Sequence, residues 1–247
     1  MRPRFPLLMT ALLLAAAPAA HAQYDDYEDE EWYDDRYPTG GYFGGGFIVA
    51  SPRGEFADHV DDGFGGRLFY AHRLDRDGWL ALRIDGGMLN YGHERQRVPL
   101  SPTLGGRIRV DLTTANNLAF LGVGPQIGVP NGRLRPYAHG FAGVSYLWTQ
   151  SSLEGTAGEE PFATTTNFDD ATFAWGGGAG VYVPLRRGVS PISLDLGLTY
   201  FDAGEAEYLP EGGITDHDDG SITLHPVRSQ TDLLSFHLGI TVGISRR

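Results

Sequence analysis

Residues 231–245 read TDLLSFHLGITVGIS. From Leu234 on, every second residue is apolar: Leu234, Phe236, Leu238, Ile240, Val242 and Ile244. Side chains of an extended chain alternate between its two faces, so these six share one face. Ser235, His237, Gly239, Thr241, Gly243 and Ser245 fall on the other. Residues 191–204 (PISLDLGLTYFDAG) repeat the pattern, with Ile192, Leu194, Leu196, Leu198 and Tyr200 opposite Ser193, Asp195, Gly197 and Thr199. In residues 79–91, Leu80, Leu82, Ile84 and Met88 oppose Ala81, Arg83, Asp85 and Gly87. One face is continuously aliphatic. The other mixes glycine, hydroxyls and isolated charges.

Working outward, the same texture recurs in Gly40–Ala50 and in 62–73, 114–129, 136–150 and 171–185, which predicts eight strands in all. Segments of this length exceed the ~9–11 residues that a tilted spanning strand needs. The connections alternate. Those at 74–78, 130–135 and 186–190 are short, and those at 51–61, 92–113, 151–170 and 205–230 are long. Short turns at one end and long loops at the other are the layout of a membrane barrel. The expectation is an all-β fold, an eight-stranded antiparallel up-and-down transmembrane β-barrel over 40–247. Strands one and six, with GGGF at 44–47 and WGGGAG at 175–180, leave their register open.

The polar face argues that the greasy face points outward. A soluble barrel would coat its exterior with charge, whereas here the polar face is Gly, Ser and Thr with few ions. An eight-stranded barrel has a lumen only wide enough for side chains. Small residues there make room for a few long ones, Arg67 and Arg83, with Asp85 and Asp195 expected to pair with them, because an unpaired buried charge is costly. Aromatic clusters near strand ends, at Tyr42 and Phe43, Trp79, Tyr146 and Trp148, Phe173 and Trp175, and Tyr200 and Phe201, read as interfacial girdles.

Ahead of the barrel, Arg2 and Arg4, the apolar run 7–17 and Ala20-His21-Ala22 have the form of a secretory signal peptide over 1–22. Residues 23–39 (QYDDYEDEEWYDDRYPT) hold eight acids and one Arg. A block this charged repels itself and is expected to be a disordered acidic segment. The chain of 247 residues has a net charge of −12, which disfavours nucleic acid as a partner. All 19 basic residues are Arg. With no Cys there is no disulfide, thiolate metal site or thiol nucleophile.

The signal peptide, the alternating strands and the loop rhythm resemble the small outer-membrane β-barrel superfamily of Gram-negative bacteria, which includes OmpA-type transmembrane domains and OmpX-like proteins. LLSFHLGITVGI in the last strand is similar to the family's terminal assembly signal, although the family usually ends in an aromatic residue and this chain ends Ser245-Arg246-Arg247. The resemblance implies outer-membrane localisation, contact with outer-membrane lipid and lipopolysaccharide, dealings with the outer-membrane assembly machinery, and a monomer.

No catalytic, cofactor or metal residues are expected. Gly122-Val-Gly124-Pro-Gln-Ile-Gly128 has the wrong spacing for a dinucleotide loop and sits mid-strand. Asp216-His217-Asp218-Asp219-Gly220 lacks the acids of an EF-hand, leaving only a looser cation site with Asp58, Asp61 and Asp62. Ser235 and His237, and His139 and Ser145, read as lumen polar groups, since an acyl-transfer site would face the membrane. The expected function is a non-enzymatic integral barrel with a filled lumen and long surface loops, in an envelope-structural or surface-interaction role. A narrow porin-like channel, a lipid-modifying enzyme and a soluble exported barrel remain as alternatives.

Overall fold

The computed structural model describes residues 39–99, 109–154, 161, 163–188, 190–217 and 222–245. The expected signal peptide, the acidic segment up to residue 38, residues 218–220 and the two terminal arginines lie outside them. In chain order the strands are β1 (Thr39–Pro52), β2 (Gly63–Arg73), β3 (Leu80–Pro99), β4 (Arg109–Gly128), β5 (Arg135–Glu154), β6 (Ala163–Arg186) and β7 (Ile192–Ala203). Four short strands follow, β8 (Glu205–Tyr208), β9 (Ile214–Asp216), β10 (Ile222–Leu224) and β11 (Val227–Gln230), and then β12 (Leu233–Ser245). Strands β1 to β7 and β12 form one closed antiparallel barrel, with β12 pairing both β7 and β1. Closure leaves the sheet without a free edge, as a hydrocarbon surround demands.

The alternation sorts as expected. Leu196, Leu198, Phe236, Leu238, Ile240, Leu82, Ile84 and Met88 face outward, and Arg83, Asp85, Asp195, Thr199, Ser235, His237 and Thr241 are buried inside. Pairing also settles β1 and β6. Phe43, Phe47 and Val49 point outward from β1, and Phe173, Trp175 and Leu185 from β6. The adjacent aromatic pairs split. Phe43, Trp79, Tyr146, Phe173, Trp175 and Tyr200 are exposed, whereas Tyr42 and Phe201 are buried in the lumen and Trp148 is half-buried. Neighbours in a strand must face opposite ways, so half of each adjacent pair was bound to leave the girdle.

Three connections differ from expectation. Much of 92–113 and 151–170 is strand, because β3 runs on to Pro99, β4 starts at Arg109, β5 reaches Glu154 and β6 starts at Ala163. Register shifts at Asn90/Gly92 on the β3–β4 ladder and at Thr149/Gln150 on the β5–β6 ladder lie where these four strands leave the aliphatic belt, and bulges concentrate at barrel rims. Polar pairs hold the extension together in place of lipid. Arg95 meets Asp111 at 2.8 Å and Glu154 at 3.7 Å, and Arg97 meets Asp111 at 3.4 Å. The hydrogen bond from Arg95, backed by the charges of Arg95 and Arg97, holds the Asp111 carboxyl below the usual carboxylate range. The third connection, 205–230, folds into two ribbons, β8–β11 and β9–β10.

At the opposite end the turns are tight. The Asp75 carboxylate accepts the backbone N–H groups of Leu80 and Trp79, both at 3.0 Å, which keeps its carboxyl below the usual range.

Inward glycines do more than vacate space. Gly143 pairs with Gly122 across β4–β5. A Cβ at Gly143 would meet the carbonyl oxygen of Leu121 and lie 2.6 Å from the Cα of Gly122. The narrow cylinder curls so tightly that the neighbouring backbone occupies the place of a side chain. Gly143→Ala is therefore expected to destabilise the barrel by about 1–3 kcal/mol, the usual cost of overpacking. It should lower the temperature at which the folded band converts on an unboiled gel. Gly140→Ala, whose Cβ meets nothing nearer than the Gly176 carbonyl at 3.7 Å, should not.

Candidate functional site

The lumen is filled in layers. Midway along it, Arg83 donates to Asp85 from Nε (2.6 Å) and Nη2 (2.9 Å), and from Nη1 to Gln126 (2.7 Å) and Tyr182 (3.1 Å). Arg67 donates to Asp85 (2.7 Å) and to His237 Nδ1 (2.7 Å). Nδ1 is then an acceptor, so the ring is neutral with its proton on Nε2. Tyr137 donates to Asp195 at 2.7 Å, and His237 Nε2 lies 3.4 Å from the same carboxylate. The Arg83 guanidinium sits 3.7 Å from the Phe69 ring centroid. Two arginines and two aspartates balance in charge, as buried ions must.

The expected partners hold for Asp85, which takes both Arg67 and Arg83. They fail for Asp195, whose carboxylate meets Tyr137 and His237 and no arginine. Asp195 stands on β7, away from the β2–β3 pair that carries the arginines. Towards the loops, the Phe120 and Phe141 rings lie 4.8 and 4.9 Å from the Phe201 ring and pack against a cluster that includes Ile48, Leu118, Leu147 and Leu233. Phe56, in a short 3-10 turn (Gly54–Asp58), packs on Tyr208 at 5.0 Å and Tyr91 at 5.8 Å and stoppers this end. The space among Arg67, Asp85, His139 and Thr199 is only about 10 Å³, the volume of about one water.

Ser235 and His237 are both buried in the lumen, but Ser235 donates to the Thr199 carbonyl at 3.3 Å and His237 is taken up by Arg67, Tyr137 and Asp195. His139 and Ser145 also face inward. Gly122–Gly128 stays within β4. Asp58, Asp61 and Asp62 are exposed at the loop end, and among the described residues no group of three or more His, Asp or Glu could hold a metal ion.

Sequence reasoning missed a groove above the plug. The strand extensions bring Glu94, Thr114, Asn116, Thr149, Ser151 and Asn167 around a cavity of about 210 Å³, closed on one side by 210–214 and Ile222. Hydroxyls and amides form a ladder there. Thr149 donates to Asn116 Oδ1 (2.8 Å), the Thr114 and Ser151 hydroxyls are hydrogen-bonded to each other (3.0 Å), and Asn167 donates to Ser151 (2.6 Å). The only local signal was the density of Thr, Asn, Ser and Gln in 113–117, 149–152 and 164–167.

A closed eight-stranded barrel, aliphatic outside and plugged by ions inside, with short turns at one end and tall strands at the other, defines an outer-membrane type of protein. The family model described as "Outer membrane protein beta-barrel domain" matches residues 8–225, and the chain belongs to that family. It is an outer-membrane protein of the Gram-negative envelope. Among solved structures it is similar to Ail, the attachment invasion locus protein of Yersinia pestis, at 12% identity over 83% of this chain and 99% of that one, with a TM-score of 0.40. It is similar to Neisserial surface protein A at 14% identity over 84% and 98%, with a TM-score of 0.37. It is also similar to the outer membrane protein OprG from Pseudomonas aeruginosa at 13% identity over 85% and 98%, with a TM-score of 0.42. No curated protein sequence matches the chain.

Proposed function

We propose that this is a non-enzymatic, non-conducting outer-membrane barrel whose loop-end groove recognises a ligand at the cell surface. The observation that carries the reading is the pairing of a plugged lumen with a polar groove directly above it. Exported with residues 1–22 removed and inserted as a monomer by the outer-membrane assembly machinery, it presents that groove outward, because loops of such barrels are the extracellular end. The groove lies below the roughly 300–1,000 Å³ of drug-sized sites, so it takes about one small ring. Its hydroxyls and amides suit a hydroxyl-rich ligand. Glu94 and Glu211 repel sulfate and phosphate, and Leu112, Ile214 and Ile222 offer apolar contact to C–H faces. A pyranose sugar without anionic substituents fits these demands.

The test is calorimetric titration of the refolded full barrel with neutral and amino monosaccharides, beside their sulfated forms. Binding confined to the unsulfated forms and lost in Thr114→Leu, which fills the groove from a half-buried position, is the expected result. No binding, or preference for sulfated sugars, refutes the recognition role. Planar-bilayer recordings should show no discrete conductance steps, and steps would favour a channel instead.

A further inference from the structure

At the end of the barrel opposite the groove, two arginines stand together with no acid between them among the described residues. Arg73 closes β2 and Arg135 opens β5, so both reach into the mouth framed by the short turns. Both guanidiniums lie against the same ring, that of Tyr42, at 5.1 Å and 5.9 Å from its centroid. Arg135 is also 5.9 Å from the Tyr182 ring, and Tyr182 stacks on Tyr42 at 6.2 Å. Arg73 donates to the Thr39 carbonyl (3.3 Å) and to the Tyr42 hydroxyl, and Arg135 donates to Ser193 Oγ. Among the described residues, neither forms an ion pair with a carboxylate. The Nε atoms of both are buried without a hydrogen-bond partner.

This contrasts with the layer beneath. There Arg67 and Arg83 are neutralised by Asp85, as burial requires. At the mouth the fold supplies aromatic faces, which attract cations but accept no N–H bond of the guanidinium edge. Two like charges converge on one opening, a cavity of about 20 Å³ lined by Tyr42, Arg73, Trp79, Gln126, Arg135 and Tyr182. Paired cations without a carboxylate call for an anion.

We propose that this mouth is a binding site for a small carboxylate arriving from the periplasm. The planar group matches the edge of a guanidinium, which donates two parallel N–H bonds to it. Tyr42 holds the two arginines in place, and Trp79 and Gln126 complete the rim. The site is independent of the groove, which lies at the other end of a sealed lumen.

The probe is acetate, titrated at constant ionic strength into the full barrel refolded in detergent micelles and enriched in nitrogen-15. The readout is the set of arginine Nε–H resonances, with the two at the mouth assigned from Arg73→Lys and Arg135→Lys. The expected result is a saturable shift confined to two resonances. It should be lost at Arg73 in Arg135→Lys, since an ammonium cannot reproduce the fork, and should be weaker with inorganic phosphate. A folded band on an unboiled gel qualifies each variant. If a variant fails to fold, the unmodified protein still decides, because the response is either saturable and restricted to two arginines or it is not. No shift, a shift shared by exposed Arg76 and Arg186, or a response to phosphate alone overturns the proposal.

Discussion

Asp85→Ala should cost the barrel about 3–5 kcal/mol, the range measured when one partner of a buried ion pair is removed. Asp85 is 7% exposed and accepts three charge-assisted bonds, two from Arg83 and one from Arg67. Without it, Arg83, 1% exposed, keeps only Gln126, Tyr182 and the Phe69 ring, and Arg67 keeps only the neutral His237. Among the described residues, two cations are then left in a lumen whose nearest other acid, Asp195, is already engaged by Tyr137 and His237. Asp85→Asn should fall between, since an amide oxygen accepts hydrogen bonds but carries no charge. Urea unfolding of the refolded variants in lipid vesicles measures both. An unchanged midpoint for Asp85→Ala would show that the ionic layer is solvated and the lumen open, which would also undercut the closed-pore reading.

The parts of this fold that could be read in advance are those where two solvents meet across one strand. In β7 and β12 one face meets lipid and the other a packed polar lumen, so the period of two is unbroken from Ile192 to Tyr200 and from Leu234 to Ile244. In β1 and β6 the same division exists, but glycines at 44–46 and 176–178 have no side chain to display it, and the register emerges only from pairs such as Gly46 with Gly239. The extensions of β3 to β6 were illegible for a different reason. Above the belt water lies on both faces, so Thr, Asn, Ser and Gln serve inside and out and no contrast remains to be read.

The candidate site was hidden by distance along the chain. Thr149 meets Asn116, 33 residues away, and Tyr137 meets Asp195, 58 residues away. Charge count alone could anticipate that the lumen's arginines would find acids, and it did so for Asp85. It could not decide which acids, because that depends on which strands stand side by side across a bore. Nor could it separate Arg67 and Arg83, which are neutralised, from Arg73 and Arg135, which share a tyrosine instead.

Leu238→Arg should cost about 2–4 kcal/mol in a bilayer, the depth-dependent cost of a cation on the lipid face near the midplane. Leu238 sits mid-strand in β12, 52% exposed, between Leu196 on β7 and Phe47 on β1, which is itself 80% exposed. In water the same change at so exposed a site would be worth no more than about 0.5 kcal/mol either way. The two solvents thus predict different results for one substitution, and the barrel's own geometry contributes almost nothing to the difference. Leu234→Arg, near the loop-end limit of the belt, should cost only about 0–1 kcal/mol, because an arginine there can reach the interface. Urea unfolding from vesicles of defined lipid would measure the gradient. A cost that falls from the middle of β12 towards its end is a property of hydrocarbon depth, which no packing defect within the protein reproduces. A flat response would mean that the aliphatic belt meets something other than lipid.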